Sequence, residues 1–328
     1  LSLRSDIDLL LIDEAKRKDP DERKRLMAEA DIVFLCLPDA AAREAVEMVE
    51  NPLTRILDTS SAHRTAPGWA YGFPELSKAH RAAVREGRRI AVPGCHASGY
   101  LALVCPLVDA GLLAPSAALS CTSLTGYSGG GKAMIADYEA QDRPEALLAP
   151  RIYGLTQRHK HLAEMCAQSR LPAPVFLPIV ADFYSGMLVT VPLPAPALCR
   201  PLTPESLAAL YAAHYAGSAC VRVLPPVEEG MLAANALSGC DGMEIIVTGN
   251  GERLAAHARY DNLGKGASGA AVQCMNLLLG APLIAMLAAA IGYLATAQAL
   301  LARLETSVAI WFLLLVVYHI IRRWMLIQ

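Results

Sequence analysis

Charged residues are scarce in this chain of 328 residues. They account for 18% of it, against 54% for hydrophobic residues, and this balance excludes a disordered or acidic-tail protein. Neither sign of charge dominates, because 29 basic and 31 acidic residues leave a net charge of −2. That charge gives no reason to expect nucleic acid as a partner. The length is sufficient for two domains.

The sequence also lacks Cys-x-x-Cys pairs, although it contains nine cysteines. Scattered cysteines of this kind indicate a reduced, intracellular chain without a disulfide framework or zinc site. The first residues show no secretory signal peptide, so we expect a cytoplasmic protein. The chain opens with Leu1 rather than Met, and we expect a fragment or a processed product.

Charge disappears altogether in two stretches near the carboxyl end, 281–302 and 307–321, and Arg322 and Arg323 follow them. A membrane span needs about 20 apolar residues, so the first stretch is long enough and the second is borderline. We expect an apolar helical tail over 281–328. Three interpretations stay open for it: membrane contact, a buried helical tail, or a segment unrelated to the rest of the protein.

The amino-terminal third alternates apolar runs with helix-forming segments. Buried strands are predicted at 7–13, 31–39 and 54–60, with helical segments at 14–30 and 40–50. This alternation indicates a doubly wound, Rossmann-like α/β sheet. No strand followed by Gly-x-Gly-x-x-Gly precedes residue 7, although such sheets usually place their phosphate loop there.

The middle of the chain has more strands and fewer helices. A short strand over 88–94 leads into a helix at 97–112, and further strands are predicted at 117–125, 175–181, 186–193 and 243–248. This pattern predicts an α+β domain with a mostly antiparallel or mixed sheet. Residues 261–280 begin with turn residues and continue as an apolar helix.

The segment Pro93-Gly94-Cys95-His96-Ala97-Ser98-Gly99 places a cysteine between a strand end and a helix start. Free backbone N–H groups and the helix dipole there favour a thiolate. A thiolate could attack an acyl carbon, and the same N–H groups could hold the resulting oxyanion. The alternative is that Cys95 is one buried cysteine among nine. We favour the nucleophile.

The segment Arg158-His159-Lys160-His161-Leu162-Ala163-Glu164 forms an electropositive stretch at a predicted helix start. Either histidine could act as general base and acid for a thiol. A solvated basic turn is the alternative. A metal site is not favoured, because no clustered cysteine or carboxylate supplies a third and fourth ligand.

Three further stretches could bind anions. The first follows a strand end and contains Ser60, Ser61 and Arg64, whose guanidinium could bind a phosphate or carboxylate through two hydrogen bonds. The others are the glycine-rich turns 128–132 and 262–266, which could present backbone N–H groups. Each could equally be a turn and helix cap.

Taken together, these motifs resemble the N-acetyl-gamma-glutamyl-phosphate reductases, in their shorter bacterial form. The resemblance runs from about residue 5 to residue 280. It rests on LCLPDAAAREAV, SSAHRTAPGWAYGFPEL, VPGCHASG, LTGYSGGGKAMIADYE, GLTQRHKHLAEM, FYSGM and DNLGKGASGAAVQCMNL, in that order. Aspartate-semialdehyde dehydrogenases and phosphorylating glyceraldehyde dehydrogenases are more distantly similar.

The resemblance implies NADPH-dependent reduction of an acyl phosphate to an aldehyde. Cys95 would form a thioester, and His159 or His161 would move the proton, with His159 preferred. Arg64 would anchor the phosphate, and Ser128 and Gly129 would contact the substrate. A homo-oligomer is expected.

The resemblance also implies a set of residues near NADP. These residues are Leu37, Pro38, Ser60, Ser61, Asn262 and Gly264. Arg17 and Lys18 could meet a 2′-phosphate and so favour NADP, whereas Asp13 favours the ribose hydroxyls of NAD.

The predicted domains are a nucleotide-binding domain over 1–94, a catalytic and dimerisation domain over 95–256, a returning helix over 257–280 and the tail over 281–328. The first strand and glycine loop of the family are absent before residue 7, so we expect an incomplete nucleotide-binding sheet and weakened activity. Three alternatives remain open: an inactive or membrane-tethered binding remnant, another acyl-phosphate or semialdehyde dehydrogenase, and a cofactor-free thiol acyltransferase or hydrolase.

Overall fold

Two sheets organise the protein, for which a computed structural model describes residues 4–280. Residues up to Leu278 form one compact unit. The predicted boundaries at 94, 256 and 280 therefore stay predictions. The predicted apolar runs 281–302 and 307–321 lie outside the described residues.

Eight α-helices lie within the described residues. They are α1 Pro20–Glu29, α2 Asp39–Glu47, α3 Lys78–Glu86, α4 Cys95–Asp109, α5 Gly131–Glu139, α6 His161–Ser169, α7 Pro204–His214 and α8 269–280. Helix α1 begins after Asp19, whose carboxylate accepts hydrogen bonds from the N–H groups of Asp21 and Glu22. Short 3₁₀ turns span Glu14–Lys16, Tyr127–Gly130, Glu145–Leu148 and Ala195–Ala197, and a π-turn spans Gly264–Ser268.

The first sheet is parallel and has the order β1-β2-β4-β3. Its strands are β1 Ile32–Leu35, β2 Arg55–Asp58, β3 Ala70–Tyr71 and β4 Arg89–Ala91. Helices α2 and α3 connect successive parallel strands, as predicted for a doubly wound sheet. The strands predicted at 31–39, 54–60 and 88–94 are thereby confirmed.

The prediction of a strand over 7–13 is wrong. These residues are neither helical nor strand-like, and Leu9, Leu10 and Leu11 are exposed. A strand requires a neighbour for its backbone hydrogen bonds, and within residues 4–280 β1 pairs only with β2. The segment predicted as helical at 14–30 divides into the Glu14–Lys16 turn and α1.

The second sheet is mixed and has the order β6-β7-β5-β8-β11-β10-β9. Its strands are β5 Ser120–Gly126, β6 Arg151–Ile152, β7 Val175–Ala181, β8 Met187–Pro194, β9 Val221–Val223, β10 Met243–Gly249 and β11 Arg253–Tyr260. All four strands predicted in this region are present. Strands β6, β9 and β11 were not predicted. Strand β11 pairs along its whole length with β8 and from Leu254 to Tyr260 with β10.

Helix α4 forms the centre of the largest hydrophobic core. Every residue from His96 to Leu107 is buried, and the helix packs against β8, β11, α6 and α7. A helix that is apolar on all sides is stable only when surrounded by other elements. The first residue of this central helix is Cys95, so the core fixes the position of the cysteine.

Candidate active site

Cys95 lies at the amino end of α4, directly after Gly94. A Cβ atom on residue 94 would lie 2.4 Å from both Arg64 Nη1 and His161 Nε2, and 2.5 Å from Glu164 Oε1. Real Cβ atoms do not approach other atoms so closely. Glycine at this position therefore allows the cysteine, the arginine, the histidine and the glutamate to converge.

A cavity of about 330 Å³ opens beside Cys95. Small-molecule sites are typically clefts of this order of size or larger. The side chains and backbone that surround it come from both sheets and from the π-turn. They include Arg64, Cys95, Ser128, Gly129, His159, His161 and Asn262, all predicted from the sequence, together with His96 and Tyr153, which were not.

The predicted thiolate environment at Cys95 is wrong for this structure. Burial raises the pKa of the thiol to about 11, and the nearby Glu164 acts in the same direction. A hydrogen bond with the backbone of His96 and the cations of Arg64 and Lys160 lower the pKa, but they do not offset burial. Cys95 is therefore a protonated thiol at neutral pH, and it needs a base to become a nucleophile.

His161 is positioned to be that base. A ligating atom of His161, one of His96 and Sγ of Cys95 all lie within 4.8 Å of one another. The Nδ1 atom of His161 is buried and has no hydrogen-bond partner among the described residues. Burial lowers the pKa of His161 well below its ordinary value, so the imidazole is neutral and can accept a proton.

His159 lies beside this cluster. Its Nδ1 accepts a hydrogen bond from the backbone N–H of His161 at 3.2 Å, and burial lowers its pKa to about 4. With neutral imidazoles and a buried His161, the alternative of a solvated basic turn is wrong. The described structure brings His161, and not His159, into the cluster with Cys95.

His96 is a buried residue that the sequence analysis did not single out. Its Nδ1 lies 2.6 Å from Ser123 Oγ, and its Nε2 lies 2.6 Å from Tyr153 Oη. Burial lowers the pKa of this imidazole to about 3, so it is neutral. Since a neutral imidazole has one N–H, one of the two hydroxyl groups must donate to it and the other must accept.

The cluster of Cys95, His96 and His161 supplies further potential metal ligands, which the sequence did not reveal. The sequence offered no third ligand beside the paired histidines, but the fold brings a thiol and a second imidazole to His161. Cysteine and histidine are common zinc ligands. However, both nitrogens of His96 already lie at hydrogen-bond distance from Ser123 and Tyr153, so metal binding would break one of these contacts.

Arg64 is almost completely buried beside the cavity. Its Nη1 donates to Glu164 Oε1 at 2.7 Å, its Nε donates to the carbonyl of Val92 at 2.9 Å, and its Nη2 donates to the carbonyl of Thr59 at 3.0 Å. Each nitrogen of the guanidinium therefore already has a protein partner. Only the remaining Nη hydrogens are available for a phosphate.

Glu164 connects this arginine to the cysteine loop. Its Oε2 accepts hydrogen bonds from Tyr71 Oη at 2.6 Å and from the N–H of Gly94 at 3.0 Å. Burial raises the pKa of Glu164, while Arg64, Tyr71 and Gly94 lower it. The sequence contained a signal for this residue, because it stands one turn after His161 in the same quoted motif.

The predicted cofactor residues after β1 and β2 lie at the carboxyl ends of neighbouring strands. The Ser60 hydroxyl donates to Asp58 at 2.7 Å, and the Ser61 hydroxyl donates to Asp39 at 2.7 Å. Pro38 is the N-cap residue of α2, and Leu37 packs against the small core of the parallel sheet. Ligands of doubly wound sheets bind at this edge.

Asn262 is buried at the cavity wall. Its Oδ1 accepts from the N–H of Gly186 at 2.8 Å, and its Nδ2 donates to Ser128 Oγ at 2.9 Å. Gly264 does not line the Cys95 cavity, and a Cβ there would lie 2.3 Å from the carbonyl oxygen of Cys240; its place near the cofactor stays a prediction. Its glycine character is explained by this packing.

Arg17, Lys18 and Asp13 are exposed, flank the 3₁₀ turn Glu14–Lys16 and do not line the Cys95 cavity. Asp13 Oδ1 caps the turn by accepting from the N–H of Ala15 at 2.9 Å. Arg17 forms a surface ion pair with Glu14 at 3.3 Å.

Comparison with known proteins identifies the family. Residues 11–84 match the family described as "Semialdehyde dehydrogenase, NAD binding domain", and residues 95–262 match "Semialdehyde dehydrogenase, dimerisation domain". The chain is 47% identical over 286 residues to the N-acetyl-gamma-glutamyl-phosphate reductase of Sinorhizobium medicae, covering 85% of this chain and 92% of the relative. The chain belongs to the N-acetyl-gamma-glutamyl-phosphate reductase family. It is therefore an oxidoreductase that uses a nicotinamide cofactor.

Other relatives share the name or the fold. A reductase of this family from Nostoc is 43% identical over 295 residues, covering 86% of this chain and 92% of the relative. Aspartate semialdehyde dehydrogenase II of Vibrio cholerae has a TM-score of 0.61 and 17% identity, covering 77% of this chain and 81% of that one. The latter likeness concerns the fold alone.

The carboxyl-terminal segment has a separate likeness. Residues 260–328 match a family described as "Mechanosensitive ion channel inner membrane domain 1". Among residues 4–280, no helix combines the length and hydropathy needed to cross a membrane.

Proposed function

We propose that the chain reduces N-acetyl-gamma-glutamyl phosphate to N-acetylglutamate 5-semialdehyde, using NADPH and releasing phosphate in arginine biosynthesis. The observation that carries this proposal is the convergence of the partly buried Cys95 thiol and a neutral His161 in one cavity of the reductase fold. The relatives named as N-acetyl-gamma-glutamyl-phosphate reductases support this substrate.

The chemistry begins with proton transfer. His161 takes the thiol proton as Cys95 Sγ attacks the acyl carbon; the bond to the phosphate oxygen breaks, and the phosphate leaves with that proton. The acyl group is then held as a thioester. A bound nicotinamide cofactor would supply the hydride that reduces this thioester. When the resulting thiohemiacetal anion collapses, the carbonyl bond reforms, the carbon–sulfur bond breaks and the aldehyde leaves. The Cys95 sulfur then takes up a proton from solvent through His161.

His161 is the proposed proton-transfer residue in place of His159, which the sequence analysis preferred. A pKa of about 11 for Cys95 corresponds to a cost on the order of 5 kcal/mol for thiolate formation at pH 7. A neutral base beside the sulfur can take the proton in step with formation of the bond to carbon, so that no free thiolate has to form first. The orphaned Nδ1 of His161 supports the role, because a reacting group would give it a partner.

The residues around the cavity fit a nicotinamide ring. Gly129 leaves open space in front of Asn262, since a Cβ there would lie 3.3 Å from Asn262 Nδ2. The buried amide of Asn262 and the glycine backbone offer the polar groups that a carboxamide needs. NADP rather than NAD is favoured by the exposed Arg17 and Lys18, and by the engagement of Asp13 as a cap.

We further propose a homo-oligomer and a cytoplasmic site of action. The match to a dimerisation domain supports the oligomer. We assign the contact between copies of the chain to the half-exposed face of the mixed sheet, which carries Leu124, Leu188 and Thr190. Membrane contact by residues 281–328 stays a prediction, and flotation with lipid vesicles, with and without that segment, would test it.

Steady-state kinetics test the function. Oxidation of NADPH should depend on the acyl phosphate, should release equimolar phosphate, and should be lost in Cys95→Ser. Cys199→Ser is the matched control, because Cys199 is exposed and outside the cavity. Phosphate release that continues at the same rate without NADPH would indicate a hydrolase, and turnover by Cys95→Ser would refute the nucleophile.

A further inference from the structure

The chain after β11 turns back against Cys95 through the π-turn Gly264–Ser268. A Cβ on Gly266 would lie 3.0 Å from the Cβ of Cys95 and 3.4 Å from its Cα. The backbone of this turn is thus one wall of the cysteine's surroundings. Single π-turns are uncommon and often occur at functional sites.

The residue next to Gly266 is held by a buried ion pair. Lys265 Nζ lies 2.9 Å from Glu75 Oε2 and 2.6 Å from Gln273 Oε1, and the Gln273 amide donates to Glu75 Oε1. The side chains of Lys265 and Glu75 are only 2% and 4% exposed. Lys265 Nζ also lies 4.8 Å above the ring of Phe73.

Burying two charges is costly and often gives less stability than apolar packing would. The Glu75–Lys265 pair instead fixes geometry, because it joins the π-turn to the loop that follows β3. The end of β3 carries Tyr71, which donates to Glu164, and Glu164 accepts from the N–H of Gly94. The loop after β3 is therefore connected to the cysteine segment by two routes. One runs from Tyr71 through Glu164 to Gly94, and the other runs from Glu75 through Lys265 to its neighbour Gly266.

We propose that Glu75 and Lys265 form a positioning pair, which holds Gly266 against Cys95 and so keeps the thiol partly covered and aligned in the cavity. The inference rests on the proposed function only in taking Cys95 as the nucleophile. Loss of either charge leaves the other buried and unpaired. The turn then opens, Cys95 becomes more accessible, and its alignment with His161 is lost.

The test compares Glu75→Gln and Lys265→Met with the unsubstituted full chain, by alkylation of Cys95 with iodoacetamide and by kinetics. Opening of the turn should raise the alkylation rate at pH 8 by about fivefold and shift its pH profile to lower pH, because thiolate fraction controls the rate. At the same time kcat should fall about tenfold, with little change in KM.

Arg55→Met is the matched control, since Arg55 Nη1 donates to the carbonyl of Leu278 at 2.8 Å at the other end of α8. It should lower stability without moving the alkylation profile. Lys265→Arg, which keeps the charge, should restore most of the alkylation behaviour. An alkylation profile in Glu75→Gln and Lys265→Met that matches Arg55→Met would overturn the positioning role. If the unsubstituted chain shows no reductase turnover, the proposed function fails, yet the alkylation comparison still decides this inference.

Discussion

Arg64 and Glu164 form an ion pair of 2.7 Å beside the catalytic cavity, with side chains that are 8% and 1% exposed. The pair joins the segment after β2 to helix α6 and holds the N–H of Gly94 through the second carboxylate oxygen. The arginine therefore does more than the substrate anchoring that the sequence analysis assigned to it.

Replacing Arg64 with lysine should reduce both stability and activity. A lysine cannot keep the contacts to Val92 and Thr59, so unfolding free energy should fall by about 3 kcal/mol. We expect kcat/KM for the acyl phosphate to fall about tenfold or more. Arg143→Lys is the control, because Arg143 and Asp182 form a similar pair with side chains 27% and 28% exposed. Urea denaturation should show that Arg143→Lys lowers the unfolding free energy by less than about 1 kcal/mol. Equal losses of unfolding free energy in the two variants would show that burial of the Arg64–Glu164 pair adds nothing to stability.

Alkylation of Cys95 in the free protein should increase steadily with pH. The thiolate is the reactive form, and burial raises the pKa of this thiol to about 11, so its fraction grows from pH 7 up to that value. The exposed Cys199 should react faster at pH 7. Peptide mass spectrometry of iodoacetamide-treated protein between pH 7 and pH 10 measures both rates. A plateau for Cys95 below pH 8 would contradict the buried, protonated thiol.

The two histidines of the α6 segment should differ in their effect. His161→Asn removes the imidazole clustered with Cys95, and acylation should slow about 100-fold. His159→Asn removes only the acceptor for the His161 N–H, and acylation should slow about tenfold or less. Rapid-quench measurement of phosphate release gives these rates. If His159→Asn has the larger effect, the roles must be exchanged.

Acid should destabilise the protein through His257, which lies 2.9 Å from both Thr190 and Thr248 on the mixed sheet. Burial lowers the pKa of His257 to about 4 in the folded chain. Since the unfolded pKa is about 6.5, the contribution to stability is full above pH 6.5 and is lost as pH falls towards 4. The loss through this residue should be about 1–3 kcal/mol. In urea denaturation, the unfolding free energy of His257→Gln should depend less on pH over this range. An unchanged pH dependence would show that His257 does not cause the loss of stability in acid.

The strands of this fold were predictable where side chains alternate or form apolar runs, as in β7 and β10. Strand β11 was missed because Arg253–Tyr260 is rich in alanine, which has a low strand propensity. It becomes a strand through pairing with β8 and β10. The strand prediction over 7–13 was wrong for the opposite reason, since this run has a strand-like pattern but no neighbouring strand among the described residues.

The candidate site shows the same division. Cys95, Arg64, His161 and Asn262 stand in recognisable motifs, and the fold brings them to one cavity. The partners of these residues have no such local signal. Lys265 and Glu75 are far apart in sequence, and only the fold brings the π-turn beside the loop after β3.

The pattern Gly-x-Gly-x-x-Gly at 264–269 would by sequence alone suggest a phosphate loop. It follows a strand and opens a helix, as a phosphate loop would. In the structure its glycines pack against protein atoms, and a Cβ on Gly269 would lie 2.1 Å from Asp241 Oδ1. Close packing, which sequence alone does not reveal, explains these glycines.

The most direct test of the central claim is to mix the protein with N-acetyl-gamma-glutamyl phosphate in the absence of NADPH. The proposed mechanism predicts a single burst of phosphate, stoichiometric with the protein, and an acyl group on the peptide that contains Cys95. Adding NADPH should discharge the acyl group as aldehyde. Phosphate release without an acylated Cys95 peptide, or acylation of another cysteine, would contradict the assignment of Cys95 as the nucleophile.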